Sequence, residues 1–131
     1  DYQLHAHSLM LGQSSVGRRV FDLLRVMQLL RAEAAMPGGA KDPAGFRLRL
    51  VGRGQGAIIA ALAALLDEGG PAVAVDLVHP PLSCAAWTEV ALCTWPVSSF
   101  VRGLLAHCDL PDIYRALCVL SLPSLSRCSC E

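Results

Sequence analysis

The residues best placed to do chemistry form a glycine-rich segment, VGRGQG at positions 51–56, which lies between an apolar run and a long run of small residues. Three kinds of protein place such a turn between a strand and a helix: proteins with a phosphate-binding loop, dinucleotide-binding proteins and serine hydrolases. The phosphate-binding loop needs a Lys directly after its last glycine, and Ala57 stands there instead. Two interpretations of the turn are left.

The first interpretation is a dinucleotide-binding turn. Gly52, Gly54 and Ala57 match the Gly-x-Gly-x-x-Gly/Ala fingerprint, and Asp76 follows at about the required distance of roughly 20 residues. A bare backbone and a helix N-terminus would receive the diphosphate, and the Asp76 carboxylate would bind the ribose hydroxyls. Because any tight strand-to-helix turn recruits glycine, this pattern is also compatible with a purely structural turn.

The second interpretation is the nucleophile elbow of a hydrolase, Gly-x-Ser-x-Gly, with glycine at the position of the nucleophile. Gly52, Arg53, Gly54, Gln55 and Gly56 then form a degenerate elbow. The flanking glycines are expected there because the strand and helix backbones approach closely. Gly54 carries no side chain, so this corner cannot attack a carbonyl carbon.

Two residues near the turn could bind a ligand. Arg53 could hold an anionic group at the N-terminus of the following helix, although a solvated arginine is the simpler interpretation. His79 follows a predicted strand and could face the edge of the sheet where ligands of α/β proteins bind. A loop histidine before the pair Pro80–Pro81 is the simpler interpretation of that residue.

Two further groups of chemically competent residues are less well arranged. His107, Cys108 and Asp109 resemble a compressed catalytic triad, but adjacent residues at a helix end cannot point at one another. A second group could supply zinc ligands but shows neither a C-x-x-C nor an H-x-x-x-H spacing; it consists of His5, His7, Cys128 and Cys130. We therefore predict no metal site and no cofactor.

Hydrophobic periodicity predicts the elements that position the turn. An amphipathic helix over Val16–Leu30, capped by Ser14 or Ser15, precedes it. The helix after the turn, Gln55–Leu66, has no polar face and should be covered on most sides. Strands are predicted at Phe46–Val51, Ala72–Val78 (buried on both faces) and Cys118–Leu122, and helices near Ser83–Ala91, Ser98–His107 and Pro111–Leu117. This order predicts an α/β fold with a parallel sheet.

Length and composition indicate one soluble domain with its own core. The chain has 131 residues, of which 53% are hydrophobic, and 11 basic residues balance 11 acidic ones. Without a basic field, nucleic-acid binding is not expected. The longest apolar stretch is about half the length needed to cross a bilayer, so no membrane segment is expected. The six cysteines do not indicate a disulfide framework.

Several segments between residues 8 and 122 resemble, in order, bacterial α/β-hydrolases of the acetyl xylan esterase type. "GRRVFD" is similar to the start of the helix before the elbow in that family, and "DPAGFRLRLVGRGQG" is similar to its strand and elbow. "VDLVHPPLSCAAW" resembles the next strand with its loop, and "DLPD" in "FVRGLLAHCDLPDIYRAL" resembles the segment that introduces a later helix. The resemblance implies a three-layer α/β/α arrangement, a partial α/β-hydrolase fold over residues 1–122, followed by an irregular tail over 123–131.

The resemblance also implies which catalytic parts the chain lacks. In this fold the acid and the histidine follow the nucleophile along the chain, so both would fall beyond Glu131. At most the backbone N–H of Gln55 would remain of the oxyanion hole. We therefore expect a fragment or degenerate copy of a carboxylic ester hydrolase, cut from something longer and not catalytic by itself. Its expected partners are other domains of a larger hydrolase, or a second copy through exposed sheet edges. The sequence leaves the cellular compartment open.

Overall fold

The computed structural model describes residues 2–36, 46–68 and 73–120. They form a mixed α/β structure with the following elements: α1 (Tyr2–Met10), α2 (Ser15–Ala34), β1 (Arg49–Arg53), α3 (Gln55–Leu66), β2 (Ala74–Val78), α4 (Ala85–Glu89), two 3-10 turns (Val97–Ser99 and Leu104–Ala106) and α5 (Leu110–Leu120). Within these ranges no helix is long and apolar enough to cross a bilayer.

The sheet of the described residues has two parallel strands. Arg49 pairs with Ala74 and Arg53 with Val78, and α3 connects the two strands. The α/β class and the parallel pairing predicted from the order of the elements are therefore confirmed.

Helix α3 is the centre of the packing. It contacts both strands as well as α2 and α5. Its buried residues are small apart from one, and they are Ala57, Ile58, Ala60, Ala61 and Ala63. Small side chains let neighbouring backbones approach closely, and the absence of a polar face is explained because α3 is covered on several sides. The expectation that this helix is covered is confirmed.

Helix α2 begins as predicted and packs on α3. The hydroxyl of Ser14 accepts a hydrogen bond from the backbone N–H of Gly17 at 3.2 Å, which makes Ser14 the N-cap. Val16, Val20 and Met27 are buried at helical spacing and form the face that joins the core. The predicted amphipathic helix therefore exists and extends four residues beyond its predicted end, to Ala34.

Two predicted elements were wrong, and a third was predicted as a strand correctly but with the wrong burial. Cys118 does not begin a strand, because residues 118–120 form the last turn of α5; residues 121 and 122 lie outside the described ranges. The segment 98–107 is not one helix but contains two separate 3-10 turns, interrupted at Gly103, whose φ is 77°. The strand β2 is not buried on both faces, because Ala74 and Val78 are exposed and the residues between them are half-buried.

One helix was not predicted, and the bounds of one predicted strand differ from those observed. Helix α1 was not predicted, because only His5 and Ser8 of its nine residues are buried and no apolar stripe marks it. Strand β1 begins three residues later than expected and runs on to Arg53. The tail at 123–131 lies outside the described ranges.

The C-terminal ends of α2 and α3 are joined by an ion pair. The Arg31 guanidinium donates two hydrogen bonds to the Asp67 carboxylate, at 2.7 and 2.6 Å. Only 15% of the Arg31 side chain and 7% of the Asp67 side chain are exposed. The hydrogen bond to Asp67 raises the pKa of Arg31 further above its ordinary value. A buried carboxylate at a helix C-terminus is unfavourable, and the Arg31 cation offsets part of this cost.

We predict that Arg31→Met lowers the free energy of unfolding by about 3 kcal/mol, because it removes two charged hydrogen bonds from a mostly buried carboxylate. Urea denaturation at pH 7 measures the change. Arg18→Met, on the exposed side of α2, is the matched control and should cost less than about 0.5 kcal/mol. The double variant Arg31→Met/Asp67→Leu should recover most of the loss; equal losses in the single and double variants would contradict the argument.

Candidate functional site

The glycine-rich turn forms a one-residue corner between β1 and α3. Strand β1 ends at Arg53, α3 begins at Gln55, and Gly54 between them has φ 56° and ψ −120°. Residues with side chains rarely adopt such a positive φ. The backbone N–H of Gly54 donates a hydrogen bond to the carbonyl of Val78 at 3.1 Å, which places the corner next to the carboxyl end of β2.

The three glycines of the turn differ in the space around them. A Cβ atom at Gly52 would lie 2.5 Å from the carbonyl oxygen of Gly56 and 2.7 Å from Cα of Ala57, so the strand and helix backbones leave no room for it. A Cβ atom at Gly54 would lie 3.8 Å from the ring of Trp95, an ordinary van der Waals distance. A Cβ atom at Gly56 would meet no described atom within 4 Å.

These spaces correct one expectation. Close approach of the backbones requires glycine at position 52, as predicted. It does not require glycine at position 56, because no described atom outside the helix's own backbone lies within 4 Å of a Cβ there. At Gly54 the requirement comes from the backbone angle and not from crowding. The corner therefore has room for a small side chain, which it lacks.

The side chain of Gln55 is held in place from two directions. Its Oε1 accepts a hydrogen bond from Nη1 of Arg19 at 2.7 Å, and its Nε2 donates to Oγ of Ser98 at 3.1 Å. Arg19 belongs to α2 and Ser98 to the first 3-10 turn, so this chain of contacts fixes the N-terminus of α3 against two other elements. This contact of the Gln55 side chain was not predicted, since the elbow motif gives a role only to the backbone N–H of Gln55.

An aromatic cluster covers the corner. Trp95, whose ring faces Gly54, stacks on Trp87 with ring centroids 5.5 Å apart. Phe100 meets Trp87 edge-on at 4.9 Å. The space in front of Gly54 is therefore apolar on the side of Trp95.

Asp76 does not stand where a ribose-binding carboxylate is expected. It is the third of the five residues of β2 rather than the last, and it lies in register with Val51. Its carboxylate accepts a hydrogen bond from Nε of Arg49 and forms an ion pair with that guanidinium. This contact gives Asp76 a cross-strand role in the sheet.

Arg53 and His79 lie near the corner without forming a site. Arg53 ends β1 and is exposed, with no ion pair to any described residue. His79 directly follows β2, is exposed and has φ 46°, a left-handed backbone conformation that is uncommon outside glycine. Its position after β2 places it at the same edge of the sheet as Gly54.

Asp109 is a structural residue rather than part of a triad. Its carboxylate accepts hydrogen bonds from the hydroxyl of Ser83 and from three backbone N–H groups, those of Cys84, Ala85 and Leu110. Burial alone would raise the pKa of Asp109, but these hydrogen bonds outweigh it, so the pKa lies below its ordinary value. His107, which precedes Asp109 by two residues, is exposed.

The segment DLPD, at positions 109–112, thus links the start of α5 to the start of α4 by hydrogen bonds. The carboxylate of Asp112 accepts a hydrogen bond from the backbone N–H of Asp109 at 3.0 Å, as in a capping box. The hydroxyl of Tyr114 donates to the carbonyl of Pro81 at 3.0 Å. The spacing of the two aspartates at a helix start was the available signal for this cap.

The buried thiol of Cys84 and the half-buried phenol of Tyr114 are held in their protonated forms beside Asp109. Burial, with the nearby Asp109 and Cys108, raises the pKa of Cys84 to about 11, so its thiolate is scarce at neutral pH. Burial, with Cys84 and Asp109, raises the pKa of Tyr114 to about 12. Cys84, Cys93 and Cys108 carry free thiols.

The described residues contain no group of three or more side chains that could hold a metal ion. His5 and His7 lie on α1, whereas Cys128 and Cys130 are outside the described ranges. Comparison of the chain with protein families, curated proteins and solved structures gives no match. The candidate site is therefore defined by the geometry of the corner at Gly54.

We predict a graded response to alanine at the three glycines of the corner. Gly52→Ala should lower the free energy of unfolding by about 3 kcal/mol or more, because backbone atoms block its Cβ. Gly54→Ala should cost about 1–3 kcal/mol from the positive φ alone. Gly56→Ala, in the first turn of α3, should be neutral or stabilise by up to about 1 kcal/mol. Chemical denaturation measures all three, and equal costs would contradict the described corner.

We predict that Asp109→Asn lowers the free energy of unfolding by about 2 kcal/mol at pH 7, because it removes a charged hydrogen-bond acceptor. A carboxyl whose pKa is lowered in the folded state contributes stability above its unfolded pKa of about 3.9, and this stability is lost as the pH falls through the folded value. The difference from wild type should therefore be constant from pH 7 to 5 and shrink below about pH 4. Asp22→Asn, at an exposed position of α2, is the control and should change the free energy of unfolding at pH 7 by less than about 0.5 kcal/mol.

Proposed function

We propose that the chain is part of an α/β-hydrolase-like domain of the carboxylic ester hydrolase type whose elbow has lost its nucleophile. In this proposal it has a structural or binding role within a larger esterase and does not hydrolyse esters by itself. The three-layer α/β/α arrangement belongs to the same proposal, with α2, α3 and α5 as helices of one layer.

The observation that carries the proposal is the geometry at Gly54. A sharp strand-to-helix turn with one residue of positive φ is the setting in which a hydrolase holds its nucleophile. The Trp95 ring leaves ordinary van der Waals room for one Cβ at this position. The turn has the shape that presents a side chain in a hydrolase, but Gly54 carries only hydrogen there. This combination is what we expect of a degenerate elbow.

The alternative is a dinucleotide-binding module that uses Gly52, Gly54, Ala57 and Asp76. Two observations weigh against it. Asp76 lies in the middle of β2 and is paired with Arg49, and the indole of Trp95 lies over the corner where a diphosphate would approach. A diphosphate needs donors at this place rather than an apolar ring.

The missing nucleophile can be supplied to test the elbow. A thiolate at Gly54→Cys would stand at the N-terminus of α3, which lowers a thiol pKa, beside the backbone N–H of Gln55. With p-nitrophenyl acetate the thiolate sulfur attacks the carbonyl carbon, the bond to p-nitrophenolate breaks and a thioester remains on the protein. We expect a burst of about one equivalent of p-nitrophenolate without turnover, since no base is in place to activate water.

Gly56→Cys is the matched control, because it is two residues away in the same turn and has space for a side chain. Its burst should be at least about tenfold slower than that of Gly54→Cys, and mass spectrometry of the acylated peptide identifies the cysteine that reacted. Equal burst rates in the two variants would contradict the argument based on the geometry at Gly54. Steady turnover by the unaltered chain that one substitution abolishes would show an active enzyme. Micromolar NAD(H) binding lost in Asp76→Ala would establish the dinucleotide module instead.

A further inference from the structure

A second site is independent of the elbow. A cleft of about 410 Å³ lies between α1 and the segment that follows the first 3-10 turn, and it is lined by His5, Leu9, Phe100, Val101 and Arg102. Its volume is within the range of small-molecule sites, roughly 300–1,000 Å³. Three of the five lining side chains are apolar, so the wall suits the apolar part of a ligand.

The cleft has two nitrogen-bearing side chains of different kinds. His5 is buried, with 4% of its surface exposed, and its Nδ1 lies 3.3 Å from Oγ of Ser15. When the Ser15 hydroxyl donates to Nδ1, the other ring nitrogen, Nε2, carries the proton and can donate. Arg102 is exposed and forms no ion pair with any described residue. The fixed imidazole of His5 and the guanidinium of Arg102 lie beside one apolar wall, so the cleft favours binding of an anion that has an apolar part.

The hydroxyl of Ser99 adds a third observation in the same segment. Ser99 is fully buried, and its Oγ has no hydrogen-bond partner among the described residues. It directly precedes Phe100 of the cleft wall, and its 3-10 turn contacts α1. A buried hydroxyl without a partner is costly, so its presence directly behind the cleft wall calls for an explanation.

We propose that this cleft binds a small monocarboxylate with an apolar body, an acyl or aryl acid. The apolar part lies against Leu9, Phe100 and Val101, and the carboxylate accepts hydrogen bonds from Arg102 and from Nε2 of His5. A carboxylate fits better than a phosphate ester because one guanidinium and one imidazole match a single negative charge within an apolar cleft. The proposal uses no residue of the corner at Gly54.

Octanoate and octanol serve as probes, since they share the chain and differ in the charged head. Titration of the full chain by heteronuclear NMR should give a Kd of about 1 mM for octanoate, with shifts concentrated at Leu9 and Val101. Octanol should bind at least about tenfold more weakly. Arg102→Gln should weaken octanoate binding by about tenfold and leave octanol binding unchanged, because it removes one charged hydrogen bond at an exposed position without affecting the fold.

Arg115→Gln is the matched control, because Arg115 is an exposed arginine on α5 and its loss should leave both Kd values unchanged. His5→Gln should also weaken octanoate binding; should this buried substitution unfold the chain, Arg102→Gln alone decides. Equal binding of octanoate and octanol, or octanoate binding that Arg102→Gln does not alter, would show adsorption to exposed apolar surface and overturn the proposal. Absence of octanoate binding would overturn it as well.

Discussion

The close approach of β1 to α3 at Gly52 is the constraint on which the rest of the structure depends. With backbone atoms of Gly56 and Ala57 within 2.8 Å of the position of an absent Cβ, the strand must turn into the helix within one residue. That sharp turn forces Gly54 to a positive φ and sets the N-terminus of α3 beside the end of β2. The row of alanines in α3 follows from the same constraint, because only small side chains let the helix lie so close to its neighbours.

Helix α2 holds α3 at both ends. Arg19 bonds to Gln55 at the start of α3, and Arg31 bonds to Asp67 just after its end, and both contacts join residues 36 positions apart. Because the spacing is the same, the two helices run in the same direction and keep their register over about 18 Å. Buried small residues between the helices provide little specificity by themselves, so the two arginines fix how α2 is aligned on α3.

Local sequence predicted the elements whose signals are local. Signals between neighbouring residues were enough to predict a cap at Ser14 or Ser15, the apolar spacing of α2 and the uninterrupted α3. The segment starting at Cys118 was misassigned because a short apolar run has no periodicity that distinguishes a strand from the last turn of a helix. The side-chain contacts of Gln55 with Arg19 and Ser98, and of Asp109 with Ser83, could not be predicted, since these partners lie 26 or more residues away and only the fold brings them together. The glycines of the corner were found from the motif, but only the geometry separates their roles.

Glycine at position 54 has a physical consequence for the stability of the corner. A serine held at this φ would store about 1–3 kcal/mol of backbone strain, which an enzyme tolerates because the exposed hydroxyl is needed there. Glycine adopts the same angles without that strain, so the corner keeps its shape and becomes more stable. The proposed loss of the nucleophile and the retained geometry of the turn therefore have one explanation. The turn is needed for the packing of β1 on α3, which requires Gly52. Position 54 can then take the residue that best suits its backbone angles.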